Sequence, residues 1–349
     1  MYYLGKFVEF CNLKDYDSLI SINRNQLQIM VEDYVMSLKK RVNPNSIPTY
    51  LYGIQTFFES NDIELNWKKI RRLYPAKVKV SGTKAYTTQQ IQKMLSLIPS
   101  LRNKTVIHFI AASGCRVGAL SELKIKHLSN MPLGCKSVLI YEGSTEEYST
   151  FLTPEASRIL DDYFEQRSMD GEKLNMESPI FREDYKFGMV PAKPMSRKAI
   201  INMMERVVKN AGIRETKKGK RYEIQLDHGF RKRWNTIMKT TDGMKIILVE
   251  KMFGHSTPSI PLDETYMVPS VEKLFEEYKK AIYELTIDDS QRKEALLKKT
   301  LEEKSELEKE KDNVVKMIQE QQKAKDDIMI IVSDLKEKIK KLEKNQETN

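Results

Sequence analysis

Cysteine is scarce in this chain: Cys11, Cys115 and Cys135 are the three in 349 residues. Three such scattered residues can build neither a disulfide framework nor a clustered cysteine zinc site, so they read as small apolar packing residues in a reducing compartment. Long apolar runs are missing too; none approaches the roughly 18–20 residues that span a bilayer. The first eleven residues, Met1-Tyr-Tyr-Leu-Gly-Lys-Phe-Val-Glu-Phe-Cys11, mix charge into their apolar positions and lack a signal-peptide layout. Neither glycine nor proline occurs from Leu297 to the last residue, which excludes turns there. A mean hydropathy of -0.53 with 31% charged residues agrees with an intracellular, non-membrane protein, and 40% hydrophobic residues suffice for two or three globular cores.

Positive charge is abundant and unevenly placed. From Asp288 onward 15 Lys/Arg stand against 16 Asp/Glu; the first 287 residues hold the other 44 basic and 33 acidic side chains and so carry all of the +10 net excess. A basic body of this kind expects a polyanionic partner.

Apolar spacing divides the chain. In residues 1–75, Tyr3, Leu4, Phe7, Val8 and Phe10, then Leu27, Met30, Val31, Tyr34, Val35 and Leu38, then Tyr50, Leu51, Ile54, Phe57 and Phe58 recur at helical steps, with Asn43-Pro-Asn-Ser46 as a turn and cap between the last two groups. Lys39-Lys-Arg41, Lys68-Lys69 and Arg71-Arg72 make this helical unit basic, as a DNA clamp would be, although solvated lysines on a generic helical domain look the same. Residues 76–85 read as an extended linker. A second domain over 86–287 opens at Thr87 or Thr88, either of which can cap a helix through Ile91, Met94, Leu95 and Ile98. An apolar helix over 106–112, β-rich runs over 137–141 and 148–152 that form a hairpin, and helices over 155–166 and 197–211 follow, with a basic loop at 217–221. In residues 288–349, Leu297, Lys304, Lys311, Ile318, Lys325, Val332 and Ile339 recur every seventh position, and Thr300, Leu307, Val314, Gln321, Ile328, Leu335 and Leu342 stand three further on. That is a coiled-coil seam, diluted by lysine in its first half; a solvated single helix is the alternative. The fold class is mainly α with a small β-sheet.

Five residues carry chemistry: Arg116 in Gly114-Cys-Arg-Val-Gly118, His228 and Arg231 in His-Gly-Phe-Arg, His255 after Gly254, and Tyr266 eleven residues later. Guanidiniums can fork onto the non-bridging oxygens of a phosphodiester and stabilise its transition state without titrating. Imidazoles can hydrogen-bond the same group, and a phenol can attack it. Singly each is weak, since His-x-x-Arg and Gly-His arise by chance and a lone tyrosine is usually core; in order, on a basic chain, they are stronger.

These segments resemble the tyrosine recombinase (integrase) family. Ser113-Gly-Cys-Arg116 is similar to its Thr/Ser-Gly-x-Arg stretch, Leu120 and Leu123-Lys-Ile125 to the helix after it, Leu226-Asp-His-Gly-Phe-Arg231 to its His-x-x-Arg box, and Met252-Phe-Gly-His-Ser256 to its Leu-Gly-His-Ser box, with Tyr266 in the nucleophile's place. The approach to Tyr266 and the stretch that continues to Tyr278 look most like the archaeal virus- and plasmid-borne branch. The resemblance implies a helical core-binding domain, a catalytic domain, and DNA cleavage and rejoining through a 3′-phosphotyrosyl bond. Arg116 and Arg231 would bind the scissile phosphate, His228 and His255 would hydrogen-bond it and assist proton movement, and Tyr266 would attack. No metal or other cofactor is implied. The partners implied are a double-stranded DNA attachment site and further copies of the chain, up to a tetramer on DNA, in the cytoplasm with the nucleoid; residues 297–342 add a coiled-coil partner, which the seam suggests by itself.

Two departures stand out. The family's hairpin-turn lysine, which protonates the leaving hydroxyl, has no counterpart in Glu142-Gly-Ser-Thr-Glu-Glu147, and Ala119 stands where many relatives have a carboxylate. A DNA-binding relative with weak or lost catalysis is therefore the alternative to an active integrase. The helix near 273–283 either docks on a neighbouring copy or folds back on its own domain.

Overall fold

The computed structural model describes residues 2–78, 84–184, 192–214, 217–218, 221–255 and 268–346. Tyr266 lies outside the described residues. The chain divides into two compact units, Met1–Ser81 and Gly82–Asn349.

The first unit is helical throughout. Its main helices are α1 (Tyr2–Phe10), α2 (Asp17–Ile20), α3 (Arg24–Arg41), α4 (Ile47–Ser60) and α5 (Trp67–Arg72). Asn23 caps α3 by accepting the Asn25 N–H at 2.9 Å, and Asn43 does the same for Asn45 at the turn before α4. The helical spacing is realised as one core: Leu4, Phe7, Leu27, Val31, Val35, Leu51, Ile54 and Phe58 are all buried, each apolar side chain contributing about 1.5–3 kcal/mol. Phe10, at the edge of that pattern, stays 37% exposed.

The second unit begins with α6 (Thr88–Ser96), where Thr87 rather than Thr88 is the cap and Gln90 completes a capping box. Helix α7 (Leu101–Ser113) is buried on every side from Thr105 to Ser113, so it runs through the core without an amphipathic stripe. Its C-terminal cap, Gly114, has φ +61, and a Cβ there would lie 2.6 Å from Trp234. Glycine is thus required at the bend that precedes Arg116. Leu120 and Leu123 are buried as expected, but they anchor a 3-10 turn, Ala119–Ser121, where a helix was expected.

A three-stranded antiparallel sheet comes next, β1 (Leu128–Asn130), β2 (Lys136–Ile140) and β3 (Tyr148–Leu152), in the order β1-β2-β3. Val138 pairs with Thr150 and Ile140 with Tyr148. Tyr141, expected within the strand, adopts φ +58 and instead opens the turn. Helix α8 (Pro154–Met169) packs on α7; α9 (Arg197–Asn210), the short ribbon β4 (Lys217–Lys218) with β5 (Arg221–Tyr222), α10 (His228–Thr240) and α11 (Ile246–Phe253) complete the body before residue 256.

After the undescribed segment come α12 (Val271–Lys279) and α13 (Ile282–Leu285). Leu274, Phe275 and Tyr278 of α12 are buried beside Phe151, and the Tyr278 hydroxyl donates to the Ala112 carbonyl at 2.9 Å. Of the two readings of this helix, it takes the second and folds back on its own unit. Helix α14 (Asp289–Gln346) is continuous for 58 residues. Its root is held by polar contacts: the Glu155 carboxylate accepts the N–H groups of Ile287 and Asp288 at 2.7 and 2.9 Å, and Gln92 donates to the Ile287 carbonyl at 2.8 Å. Beyond the root its apolar residues lie in solvent, Leu307 being 64% and Ile328 60% exposed. Among the described residues no helix is long and apolar enough to cross a membrane.

Candidate active site

Two helix ends and one strand end build the site. Arg231 lies one turn into α10, on its buried face, and is 5% exposed. Its guanidinium donates to the Gly114 carbonyl at 2.6 Å and to the Phe253 carbonyl at 3.2 Å, with the Phe253 ring 3.9 Å from its centre. The two carbonyls belong to the C-terminal ends of α7 and α11, where backbone acceptors are left over and the helix dipole is negative. Burial draws the Arg231 guanidinium below its ordinary pKa, though it stays protonated at any physiological pH. Among the described residues no carboxylate pairs with it, and backbone carbonyls take its hydrogen bonds.

Arg116 reaches the same place from the other side of Gly114. It donates to the Gly254 carbonyl at 3.2 Å and meets the Glu146 carboxylate, on the β2–β3 turn, at 3.4 Å. Gly254 ends α11 with φ +63, and a Cβ there would fall 2.4 Å from the Tyr148 ring. This glycine is the end of a helix pressed against a tyrosine. Tyr148 itself, the first residue of β3, is 8% exposed, and burial raises its hydroxyl pKa, so it stays a neutral phenol.

His255 follows that glycine. Its Nδ1 lies 2.8 Å from Glu250 Oε2, and its ring stands edge-on to Phe253 at 4.4 Å. Burial pushes the Glu250 carboxyl up, but hydrogen bonds from Lys239 and His255 outweigh it and hold the group below its ordinary value. Glu250 is therefore ionised and can only accept, so Nδ1 is the ring nitrogen that donates to it and Nε2 is the one left to face the cleft. That is the second-partner arrangement that fixes a histidine tautomer.

Arg116, Arg231 and His255 are thus linked through the 253–255 backbone. His228 opens α10 one turn before Arg231; it is exposed, and its side chain makes no hydrogen bond to a described residue. Tyr266 lies outside the described residues, but Val268, two positions on, lines the cleft of about 720 Å³ that Arg116, Glu146, Tyr148, Lys251 and His255 also line. Sequence reasoning missed Tyr148 and Glu250, whose roles as a wall and as a tautomer anchor have no local signature. The turn carboxylates are each engaged: Glu142 with Lys126 at 2.8 Å and His127 at 3.1 Å, Glu147 with the Gly143 N–H at 2.5 Å, Glu146 with Arg116. Lys136 begins β2 at the end away from the turn, paired with Asp161 at 3.1 Å. Ala119 is buried and apolar, and no carboxylate takes its place beside Arg116 other than Glu146 among the described residues.

Two guanidiniums, one of them buried and without a carboxylate partner among the described residues, near an imidazole make a site for an anionic ester. The sequence pattern of the phage integrase family matches residues 84–268, more than half of the chain, and the protein belongs to that family of tyrosine recombinases. Its mainly helical body with a three-stranded sheet is the catalytic-domain fold of the family. The tyrosine recombinase XerA of Thermococcus kodakarensis is 23% identical over 254 residues, which cover 71% of this chain and 79% of that protein. Two solved structures are similar over most of their length. One is the Tn1549 transposon integrase in complex with transposon right end DNA (TM-score 0.49, 13% identity, 80% of this chain and 98% of that one). The other is XerH recombinase bound to difH substrate in a pre-cleavage complex (TM-score 0.48, 17% identity, 76% and 73%).

Proposed function

We propose that this chain is a site-specific DNA recombinase that cleaves and rejoins DNA through a 3′-phosphotyrosyl bond, integrating or excising a mobile element of the archaeal virus or plasmid type. In this reading Arg116 and Arg231 hold the scissile phosphate, His228 and His255 hydrogen-bond it and move protons, and Tyr266 attacks phosphorus. The covalent bond stores the energy of the broken one, and the released 5′-hydroxyl of a partner strand reverses the step. The observation that carries the reading is the junction at Gly114 and Gly254, whose carbonyls hold Arg231 and Arg116, with Arg116 and His255 lining a cleft that Val268 also lines.

Residues 1–75 serve as the DNA clamp, 76–85 as linker, 86–287 as the catalytic domain and 288–349 as an assembly helix. Their partners are a double-stranded attachment site and three further copies, with the 297–342 seam joining copies or recruiting another coiled-coil protein, in the cytoplasm at the nucleoid. A second reading, a DNA-binding relative with weak or lost turnover, is favoured by the turn that offers Arg116 a glutamate and no lysine.

Nicked duplexes with a randomised core separate the two. Incubated with the protein and run under denaturing conditions, they yield a covalent band whose DNA can be sequenced to give the site. A band present for the natural chain and absent for Tyr266→Phe supports the recombinase; DNA retention without any band supports the silent relative.

A further inference from the structure

Helix α14 carries apolar side chains in solvent, and they are grouped. Val314, Val315, Met317 and Ile318 form one patch and Ile328, Met329, Ile331 and Val332 a second, every one of them more than 40% exposed. In the seven-residue repeat each patch fills both seam positions and the two positions that flank them, so the face is wider than a bare seam. The helix is unbroken from Asp289 to Gln346, with neither glycine nor proline after Leu297, so it does not double back to cover the patches itself.

The two patches mirror one another about Lys323. Reflection exchanges Val314 with Val332, Ile318 with Ile328, Val315 with Ile331 and Met317 with Met329. Charge is reflected with the opposite sign, since Glu308 and Glu310 precede the first patch as far from Lys323 as Lys338 and Lys336 follow the second. Resting on the assembly role proposed for residues 288–349, we infer that α14 pairs with α14 of a second copy of this chain, antiparallel and centred at Lys323. In that register Val314 lies on Val332 of the second copy and Ile318 on Ile328. Lys311 faces Leu335 and Lys325 faces Gln321, so each lysine can lay its methylene stem along the seam and keep its charge in water. Glu308 comes opposite Lys336 and Glu310 opposite Lys338, twice each by symmetry. Within its own helix Glu308 meets Lys304 at 4.0 Å, an exposed pair that is easily exchanged. A parallel pair has the opposite properties: Lys311 and Lys325 would each face their own equivalents, and the two glutamates would lie beside theirs.

Direction has a consequence for assembly. At about 1.5 Å per residue the antiparallel pair sets the two helix roots at Asp289 about 100 Å apart, at opposite ends of one rod. A parallel pair would set them side by side. The antiparallel rod suits two copies on separate stretches of DNA.

Cross-linking of the full chain tests the register. In a Cys11→Ser background, which leaves only the buried Cys115 and Cys135 as natural thiols, Val314→Cys and Val332→Cys are made as separate proteins. A short bismaleimide is added to each alone and to the two mixed. A dimer band is expected in the mixture and from neither protein alone, because position 314 of the antiparallel pair lies about 27 Å along the rod from its own equivalent. A band from each protein alone would make the pair parallel and overturn the inference. No band in any lane would also overturn it, leaving the patches to a different coiled-coil protein. Charge reversal reads the same register without touching the seam. Glu308→Lys with Glu310→Lys, and separately Lys336→Glu with Lys338→Glu, should each weaken self-association about tenfold or more in sedimentation equilibrium. The chain with all four reversals should regain the natural affinity, and failure to regain it would overturn the inference. Both readouts are independent of cleavage, so the covalent band decides the recombinase reading separately.

Discussion

The wall formed by α10 and α11, whose end lines the cleft, and the turn between β2 and β3 on the cleft's other side are made differently. The wall is core: Phe230, Trp234, Met252 and Phe253 are buried, and the guanidinium of Arg231 is held among them by two helix-end carbonyls. The turn is surface: Glu146 is 68% exposed at its side chain and touches Arg116 at 3.4 Å. A feature locked into the core cannot change without unfolding the unit, whereas the turn can exchange lysine for glutamate at little cost to stability. The buried cation and the exposed turn are thereby under different physical constraints, and the turn is the part that can vary most freely.

The sharpest way to break that contrast is at Arg231. Replacement by lysine keeps the charge but loses the fork that reaches both the Gly114 and Phe253 carbonyls, so it should cut covalent-complex formation by about 10²-fold or more. Replacement by alanine should add a loss of about 2–4 kcal/mol in stability, since the two carbonyls lose their donor and a cavity opens. Thermal unfolding followed by circular dichroism separates the two effects. If Arg231→Lys cleaves at the natural rate, the wall is not the rigid half.

Next in size is Gly254→Ala. The residue has φ +63, and the added methyl would meet the Tyr148 ring at 2.4 Å, a contact the buried ring cannot relieve by swinging into solvent. Left-handed strain and overpacking together predict a loss of about 2–4 kcal/mol, with cleavage falling alongside because the Gly254 carbonyl carries Arg116. Unfolding in urea with an unchanged slope and a lowered midpoint would register it; a midpoint equal to that of the natural chain would mean the helix end is not held against β3 as described.

The same contrast explains what was legible in the sequence. Leu27, Val31, Leu38 and Phe58 announce their core by spacing alone, and the Gly114 to Arg116 and Gly254-His255 segments stand out because a left-handed helix end leaves a glycine in print. Arg116, Arg231 and His255 are brought together by contacts 22 to 138 residues apart in the chain, which no local pattern encodes. The family resemblance supplied that juxtaposition. Glu250 and Tyr148 stayed hidden because a carboxylate on a helix and an aromatic at the start of a strand are what any surface helix and any strand carry. The 58-residue α14 was readable as helix from about residue 288, but the contacts of Glu155 and Gln92 that hold its root come from distant parts of the chain and were not.

A smaller effect is expected where the wall meets solvent. Glu250 is held below its ordinary pKa of 4.5 by Lys239 and His255 against the opposing pull of burial. A carboxyl depressed in the folded state contributes stability above its unfolded pKa and loses that contribution as pH falls through the folded value. The natural chain should therefore exceed Glu250→Gln in thermal midpoint at pH 6–7, and the gap should close as pH drops below 4.5 toward the folded value. In cleavage the variant should show a changed pH profile rather than a uniform loss, since a glutamine no longer enforces the Nδ1–H tautomer of His255. A gap in midpoint that persists unchanged to about pH 3 would mean the carboxylate contributes by packing and not by charge.

The smallest effect belongs to the turn itself. Glu146 places a carboxylate on Arg116, which in the proposed reading holds a phosphate oxygen, so DNA would have to displace it. Exposed ion pairs of this kind are worth about 0–1 kcal/mol, which bounds the gain from Glu146→Gln at roughly fivefold in DNA affinity, and less as salt rises. Fluorescence anisotropy with a short duplex at two salt concentrations would resolve a change of that size. A gain far above fivefold would mean that the turn acts as a firm gate over Arg116, and the surface half of the site would then be as tightly specified as the core half.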